Sequence, residues 1–148
     1  TVNNNLTLLN ENISLDKIID ITKKVGLYDA IMNSPDGFDT IVGDNGIKLS
    51  GGQKQRVSIA RVLLRDAPIV IFDEATAALD NNAQENIIDL VFELLKNRTV
   101  IIIAHRLSAV KKCDKILVIS GGSVIESGTH KELMARGGEY YHLYMAEQ

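Results

Sequence analysis

The run Ile69-Val70-Ile71-Phe72 is apolar without a break, follows Pro68, and ends in two adjacent carboxylates, Asp73 and Glu74. A short apolar run bounded by a turn former reads as a strand buried on both faces. Such a strand needs a parallel sheet with helices packed over it, which limits the chain to the α/β class. A second apolar run covers residues 100–104. Between the two, Ile87, Ile88, Val91, Leu94 and Leu95 recur at helical spacing within 82–96. Strand, helix, strand predicts a βαβ unit with a right-handed crossover.

Upstream, the pattern is helical. Ser14 is placed to cap a helix over 15–25, with Leu15, Ile18, Ile19, Thr22 and Val25 on one face and Gly26 closing it. Residues 33–37, Asn-Ser-Pro-Asp-Gly, have turn chemistry, and 38–49 look irregular. Ser50 then caps a helix reaching about Arg65, with Val57, Ala60, Leu63 and Leu64 facing inward. Arg56, Arg61 and Arg65 lie along that helix and read as a solvated or salt-bridged face. Downstream, 115–119 and 123–126 flank Gly121-Gly122 as a two-residue hairpin. Short helices at about 130–135 and 139–147 finish the chain. The division expected is helical over 1–66 and α/β over 67–148.

The 148 residues suffice for one domain with a core, and 45% apolar with 24% charged is ordinary globular composition. A net charge of −3 gives no electrostatic case for nucleic acid or an anionic membrane. No apolar run approaches the ~20 residues that span a bilayer. The first residues carry neither an initiator Met nor a basic-then-apolar leader, which leads us to expect a fragment. The single Cys113 excludes an internal disulfide framework and fits a reducing compartment; a small buried side chain is its plainest reading.

Three constellations carry chemistry. Strand ends in open α/β sheets are where ligands sit. Alternation points Asp73 and Glu74 apart, so one carboxylate can hold Mg²⁺, directly or through water, while the other faces an attacking water. Taken alone, the pair is equally an acidic strand end in a solvated loop. Second, Ser50-Gly51-Gly52 opens a helix, where free N–H groups and the dipole favour an anion and the glycines let a phosphate reach the backbone. Taken alone, it is a capped turn. Third, His105 follows the second apolar run and would emerge at the same sheet edge as the carboxylates, able to hydrogen-bond a terminal phosphate. His130 and His142 lack such context and read as structural or surface residues. Asp80 has the position of a helix cap. Gly46 and Gly51 have phosphate-loop spacing, but Gly52-Gln53 follows instead of Lys-Ser/Thr, so that match is rejected.

In combination these residues resemble the nucleotide-binding domain of an ATP-binding-cassette (ABC) transporter, over nearly the whole chain. Leu49-Ser50-Gly51-Gly52-Gln53 resembles its signature motif, 69–74 its Walker B strand, Ala78-Leu79-Asp80 its D-loop and His105 its switch histidine. Residues 37–46, Glu126-Ser127-Gly128-Thr129-His130, and the aromatic stretch with Tyr140, Tyr141 and Tyr144 resemble exporters rather than import systems. The likeness implies part of a P-loop NTPase (RecA-like) parallel sheet plus the ABC helical subdomain. The Walker A portion would precede residue 1. Val2-Asn3-Asn4-Asn5 lines up with the glutamine loop, with Asn4 where Gln is usual. Ala77 stands where the D-loop commonly has Ser.

The resemblance also implies a mechanism. Such domains pair head to tail with ATP between Walker A of one and the signature of the other. Ser50, Gly51 and Gly52 would then bind the γ-phosphate held by the partner, Asp73 would support Mg²⁺, Glu74 would be the general base, and His105 would contact the γ-phosphate. The implied partners are a second nucleotide-binding domain and a transmembrane domain, at the cytoplasmic face of the membrane. Without Walker A, the chain alone is expected to be inactive. Two other readings stand beside this one. The chain could be a non-catalytic module supplying only a signature face to a complete ATPase domain. It could also be a cassette ATPase of DNA repair or chromosome organisation, but those carry a long coiled coil before the signature, and the ~45 residues between Asn4 and Leu49 hold no heptads.

Overall fold

The computed structural model describes residues 1–44, 46–73, 81–104 and 107–147. They form two compact units, Thr1–Ile101 and Ile102–Gln148.

The first unit is built on helices. α1 (Val2–Thr7) starts at Thr1, whose side chain accepts from the Asn4 amide. α2 (Leu15–Lys24) starts at Ser14 as expected, with the Ser14 hydroxyl accepting from Lys17 N, and the chain leaves it through Gly26 at φ +68°. The buried stripe of α2 is Ile18, Ile21 and Thr22, continued by Val25. Leu15, expected inside, is exposed: the stripe runs one step round from the expected face. The Thr22 hydroxyl is satisfied within the helix, donating to the Ile18 carbonyl at 2.8 Å. After α3 (Tyr28–Met32) and a 3₁₀ turn (Gly37–Asp39), the chain makes a tight bridge between Val42 and Ile47. A Cβ at Gly46 would run into the Ile41 carbonyl there, so glycine is sterically required.

α4 (Gly51–Arg65) is the axis of this unit. It packs against both α1 and α2, and its face of Val57, Ile59, Ala60, Leu63 and Leu64 is buried. The same cluster takes in Val2, Leu6, Val25 and Leu27 on one side and Val70, Ile87, Val91 and Leu95 on the other. Those last residues belong to β1 (Ile69–Asp73), to α5 (Asn81–Leu94) and to the turn just after it. α5 leads into β2 (Thr99–Ile103), the neighbour of β1 in a two-stranded sheet.

One expectation about these strands fails. β1 is not buried on both faces: Val70 is covered by the helical core, while Ile69 and Ile71 are 59% and 62% exposed. Ile101 and Ile103 on β2 are exposed too. The helices cover one face of the pair, and among the described residues nothing covers the other. The apolar content of the run is that of a strand designed for two-sided burial; its burial here is one-sided.

The basic residues of α4 also depart from expectation. Arg56 donates to the Val25 carbonyl at 2.5 Å, at the end of α2. Arg61 donates through Nε to the Asn5 carbonyl at 2.5 Å and through Nη2 to Asn5 Oδ1 at 3.0 Å. Lys17 reaches back from α2 to the Leu64 carbonyl at 3.3 Å. These cations satisfy carbonyls near the ends of helices, which the helices themselves leave unpaired. Two arginines read as a solvated face are therefore half-buried staples between α4 and its neighbours.

The second unit begins within β2. After α6 (Leu107–Val110) comes a hairpin of β3 (Ile116–Ser120) and β4 (Ser123–Gly128). The strands are antiparallel, with Ser120 opposite Ser123 and an irregularity between Val118 and Ile119. Gly121 and Gly122 both have positive φ, 56° and 75°, the backbone of a type I′ turn that side chains resist. α7 (His130–Arg136) starts with a Thr129/Glu132 capping box, and Gly137 ends it in the left-handed region. α8 (Glu139–Glu147) then packs on α7. Ile116, Val118, Leu133 and Tyr140 make the small core. His130 Nδ1 lies 2.8 Å from the Tyr140 hydroxyl, which gives His130 the structural role expected; His142 is exposed.

Candidate nucleotide site

Ser50 sits at the N-cap of α4 with extended backbone (φ −63°, ψ 164°). Its hydroxyl accepts from Gln53 N at 3.2 Å, and the Gln53 side-chain carbonyl accepts from Ser50 N at 2.8 Å. This reciprocal capping box was readable in the Ser-x-x-Gln pattern and fixes the backbone at the helix entry. Gln53 thereby has a local task, satisfying the cap. The amides of Gly51 and Gly52 take no partner from within the helix, as for any first turn. A helix entry of this kind, with the dipole behind it, favours negative charge.

Gly52 carries the most information. Its φ is not in the left-handed region, and a Cβ built on it meets nothing within 4 Å. Neither backbone nor packing within the described residues asks for glycine. Glycine here costs helix stability. What it provides is unobstructed backbone on the outer side of the helix entry, where Gly52 is half-exposed. Leu49, half-buried just before the cap, packs against the helical core and anchors the turn from below.

Asp73 is the last residue of β1 and is exposed, with no hydrogen bond or ion pair among the described residues. Among the described residues no group of three or more His, Cys, Asp or Glu side chains could hold a metal ion. A lone exposed carboxylate still suits Mg²⁺, which keeps most of its waters and takes one or two carboxylates plus phosphate oxygens. Glu74, Ala77, Ala78, Leu79, Asp80 and His105 lie outside the described residues.

Asn4 differs from its expected setting. It lies inside α1 rather than in a loop, exposed, with its amide capped by Thr1 at 3.2 Å. A Thr three residues before it was enough to start a helix. Its neighbours do the packing: Asn5 is held by Arg61, and Asn3 buries an Oδ1 that finds no hydrogen-bond partner among the described residues.

Cys113 is half-buried against the second unit's core, and burial, with the Asp114 carboxylate second, pushes its thiol up from the ordinary range. A raised pKa lowers the thiolate fraction, so this is a packing cysteine.

A sequence profile described as ABC transporter matches residues 1–77, just over half of the chain. The chain belongs to the ABC transporter family. It is 48% identical over 147 residues to an ATP-dependent lipid A-core flippase of Francisella tularensis, covering 99% of this chain and 24% of that protein. It is also 48% identical over 144 residues to a Staphylococcus aureus protein described as "Putative multidrug export ATP-binding/permease protein", covering 97% of this chain and 25% of that one. Among solved structures, an Atm1-family ABC exporter with ATP bound matches with a TM-score of 0.86 and 39% identity, over 99% of this chain and 26% of that chain. The chain thus spans about a quarter of the length of these relatives. Over that span its α/β fold is that of an ABC exporter's ATP-binding domain.

Two carboxylates with local roles had no signal in the sequence. Glu126 accepts from the amides of Glu139 and Tyr140, capping α8 from 13 residues upstream. Glu147 accepts from the Leu107 amide across 40 residues. Side chains that cap a distant helix leave no local pattern to find.

Proposed function

We propose that this chain is the signature-bearing part of the ATP-binding and hydrolysing domain of an ABC exporter, with 1–66 as the signature-bearing helical region and 67–148 as part of the ATPase core. The observation that carries the reading is the capped Ser50-Gly51-Gly52 turn, with open space around Gly52 and a charge-favourable helix entry. In a head-to-tail pair, Ser50 and the Gly51 and Gly52 amides bind the γ-phosphate of an ATP molecule held by the second nucleotide-binding domain. Leu49 and Gln53 hold the turn in shape. Asp73 supports Mg²⁺, whose charge would offset that of the phosphates. Glu74 is the general base for the attacking water, His105 contacts the γ-phosphate, and Asp80 belongs to the dimer-facing loop. Asn4, helical and exposed, is given no metal role. Catalysis of this kind rests on positioning and charge stabilisation. Closure of the pair and hydrolysis drive a transmembrane domain between inward and outward access, with this chain at the cytoplasmic face. No helix among the described residues is long and apolar enough to cross a membrane.

The test is Glu74→Gln in the complete protein. ATP turnover should vanish while ATP binding persists. Turnover near the wild-type rate would remove Glu74 from its role.

A further inference from the structure

Resting on the phosphate reading of the Ser50-Gly51-Gly52 turn, we propose that Arg56 is a positioning residue for that turn, tying the entry of α4 to the end of α2 through the Val25 carbonyl. The capping box makes the turn rigid relative to the helix, so the Gly51 and Gly52 amides point wherever the helix entry points. Hydrophobic packing along the entry does not set that direction. Residues 51–56 are all polar or glycine and none is buried; the buried face of α4 begins at Val57. At 1.5 Å per residue, the amides of the turn lie roughly 8 Å along the axis from the first buried side chain of the helix.

Leu49 packs on the core just before the cap. Within the entry itself, Arg56 donates through Nη1 to the Val25 carbonyl at 2.5 Å. That carbonyl is a firm anchor. Val25 is fully buried in the same core as the inner face of α4, and its own amide donates to the Ile21 carbonyl at the end of α2. Carbonyls at the end of a helix lack partners within it and sit at the negative end of its dipole, where a guanidinium is favoured. Gly26 comes next at φ +68°, and a Cβ there would lie 3.0 Å from Arg56 Nη1. Glycine thus takes the left-handed backbone and leaves the guanidinium its place. A helix entry more than a turn from its first buried side chain is free to tilt once this tie is cut, and a tilt carries the two amides with it.

The test uses the complete protein carrying this chain, with Arg56→Met, Arg56→Lys, Arg61→Met and Gly52→Ala, each assayed well below its melting temperature. Methionine keeps an apolar stem and removes the donors, so packing and fold are retained. A misplacement of ~1 Å costs on the order of 100-fold in rate, and Arg56→Met is expected to lower turnover at saturating ATP by about ten-fold or more. ATP-dependent pairing should weaken with it, while ATP binding by the unpaired domains stays unchanged. Lysine keeps a cation that can donate to the Val25 carbonyl, so Arg56→Lys should turn over faster than Arg56→Met. Arg61→Met removes the same kind of contact five residues further along the same helix; it should lower the melt and leave turnover near the wild-type value. Wild-type turnover in Arg56→Met overturns the proposal, as does an equal loss in Arg61→Met, which would mark both as effects of stability alone. An Arg56→Lys variant no faster than Arg56→Met overturns it too. Wild-type turnover in Gly52→Ala instead overturns the phosphate reading on which it rests, so the two failures are told apart.

Discussion

Gly52→Ala separates stability from function at the signature turn. The added methyl meets nothing within 4 Å and the backbone is not left-handed, so the fold accepts it without strain. Alanine is favoured over glycine in a helix by up to about 1 kcal/mol, and less in the first turn. A domain of this size should then melt unchanged or up to about 2–4 °C higher. On the proposed reading, the methyl would occupy open space that a phosphate needs in order to reach the Gly51 and Gly52 amides. Losing one preorganised backbone donor to a phosphoryl or oxyanion group costs on the order of 100-fold in turnover. The assay is ATP hydrolysis by the reconstituted protein, read beside its thermal melt and ATP-dependent pairing of its nucleotide-binding domains. The expected result is a protein at least as stable that pairs poorly and turns over on the order of 100-fold more slowly. Wild-type hydrolysis would refute the claim that the open space serves a phosphate. A melt lowered by several degrees would refute the claim that nothing in the fold needs glycine here.

Leu8 and Leu9 are consecutive left-handed residues, φ 53° and 64°, and Leu9 is 74% exposed. Left-handed backbone costs a side-chain-bearing residue roughly 1–2 kcal/mol, so Leu9→Gly should stabilise by about 0.5–1 kcal/mol net of the entropy glycine loses on folding, measured by denaturant titration. Arg61→Ala strands the Asn5 backbone carbonyl and side-chain Oδ1 and should destabilise by about 1–3 kcal/mol; Arg61→Lys, a single point charge without the fork, should recover less than half of it. The Glu132 carboxyl is held below its ordinary range, chiefly by the Thr129 amide, then by the Thr129 hydroxyl. The stabilisation this gives the start of α7 is therefore fully present above the ordinary glutamate pKa and lost as pH falls through the lowered one. An NMR titration of the Thr129 amide should follow a midpoint below that of a model glutamate, and a midpoint at or above it would contradict the cap.

Much of the fold was legible. Ser14 and Ser50 announced their helices because a hydroxyl three residues before an amide is a local pattern, and Gly121-Gly122 announced the hairpin because only glycine is at ease in two successive left-handed positions. The motifs 49–53 and 69–74 announced the family for the same reason: the chemistry is written in adjacent residues. Helices α1, α3 and α6 were missed. They are six, five and four residues long and too short to show a period. Their start depends on one capping side chain or on a neighbour's surface.

The sequence by itself therefore determined the longer helices, the hairpin, the capped Ser50 turn and the strand that ends in Asp73, since each depends on contacts within a few residues. Only the tertiary structure decided what distant side chains do. Arg61 and Asn5 are 56 residues apart, and Glu147 and Leu107 are 40 apart. It also decided that Ile69 and Ile71 face outward from a sheet covered on one side. An arginine on a helix reads the same whether it meets water or a carbonyl, and an apolar strand reads the same whether one face or both are covered. Which of these holds depends on what folding brings alongside.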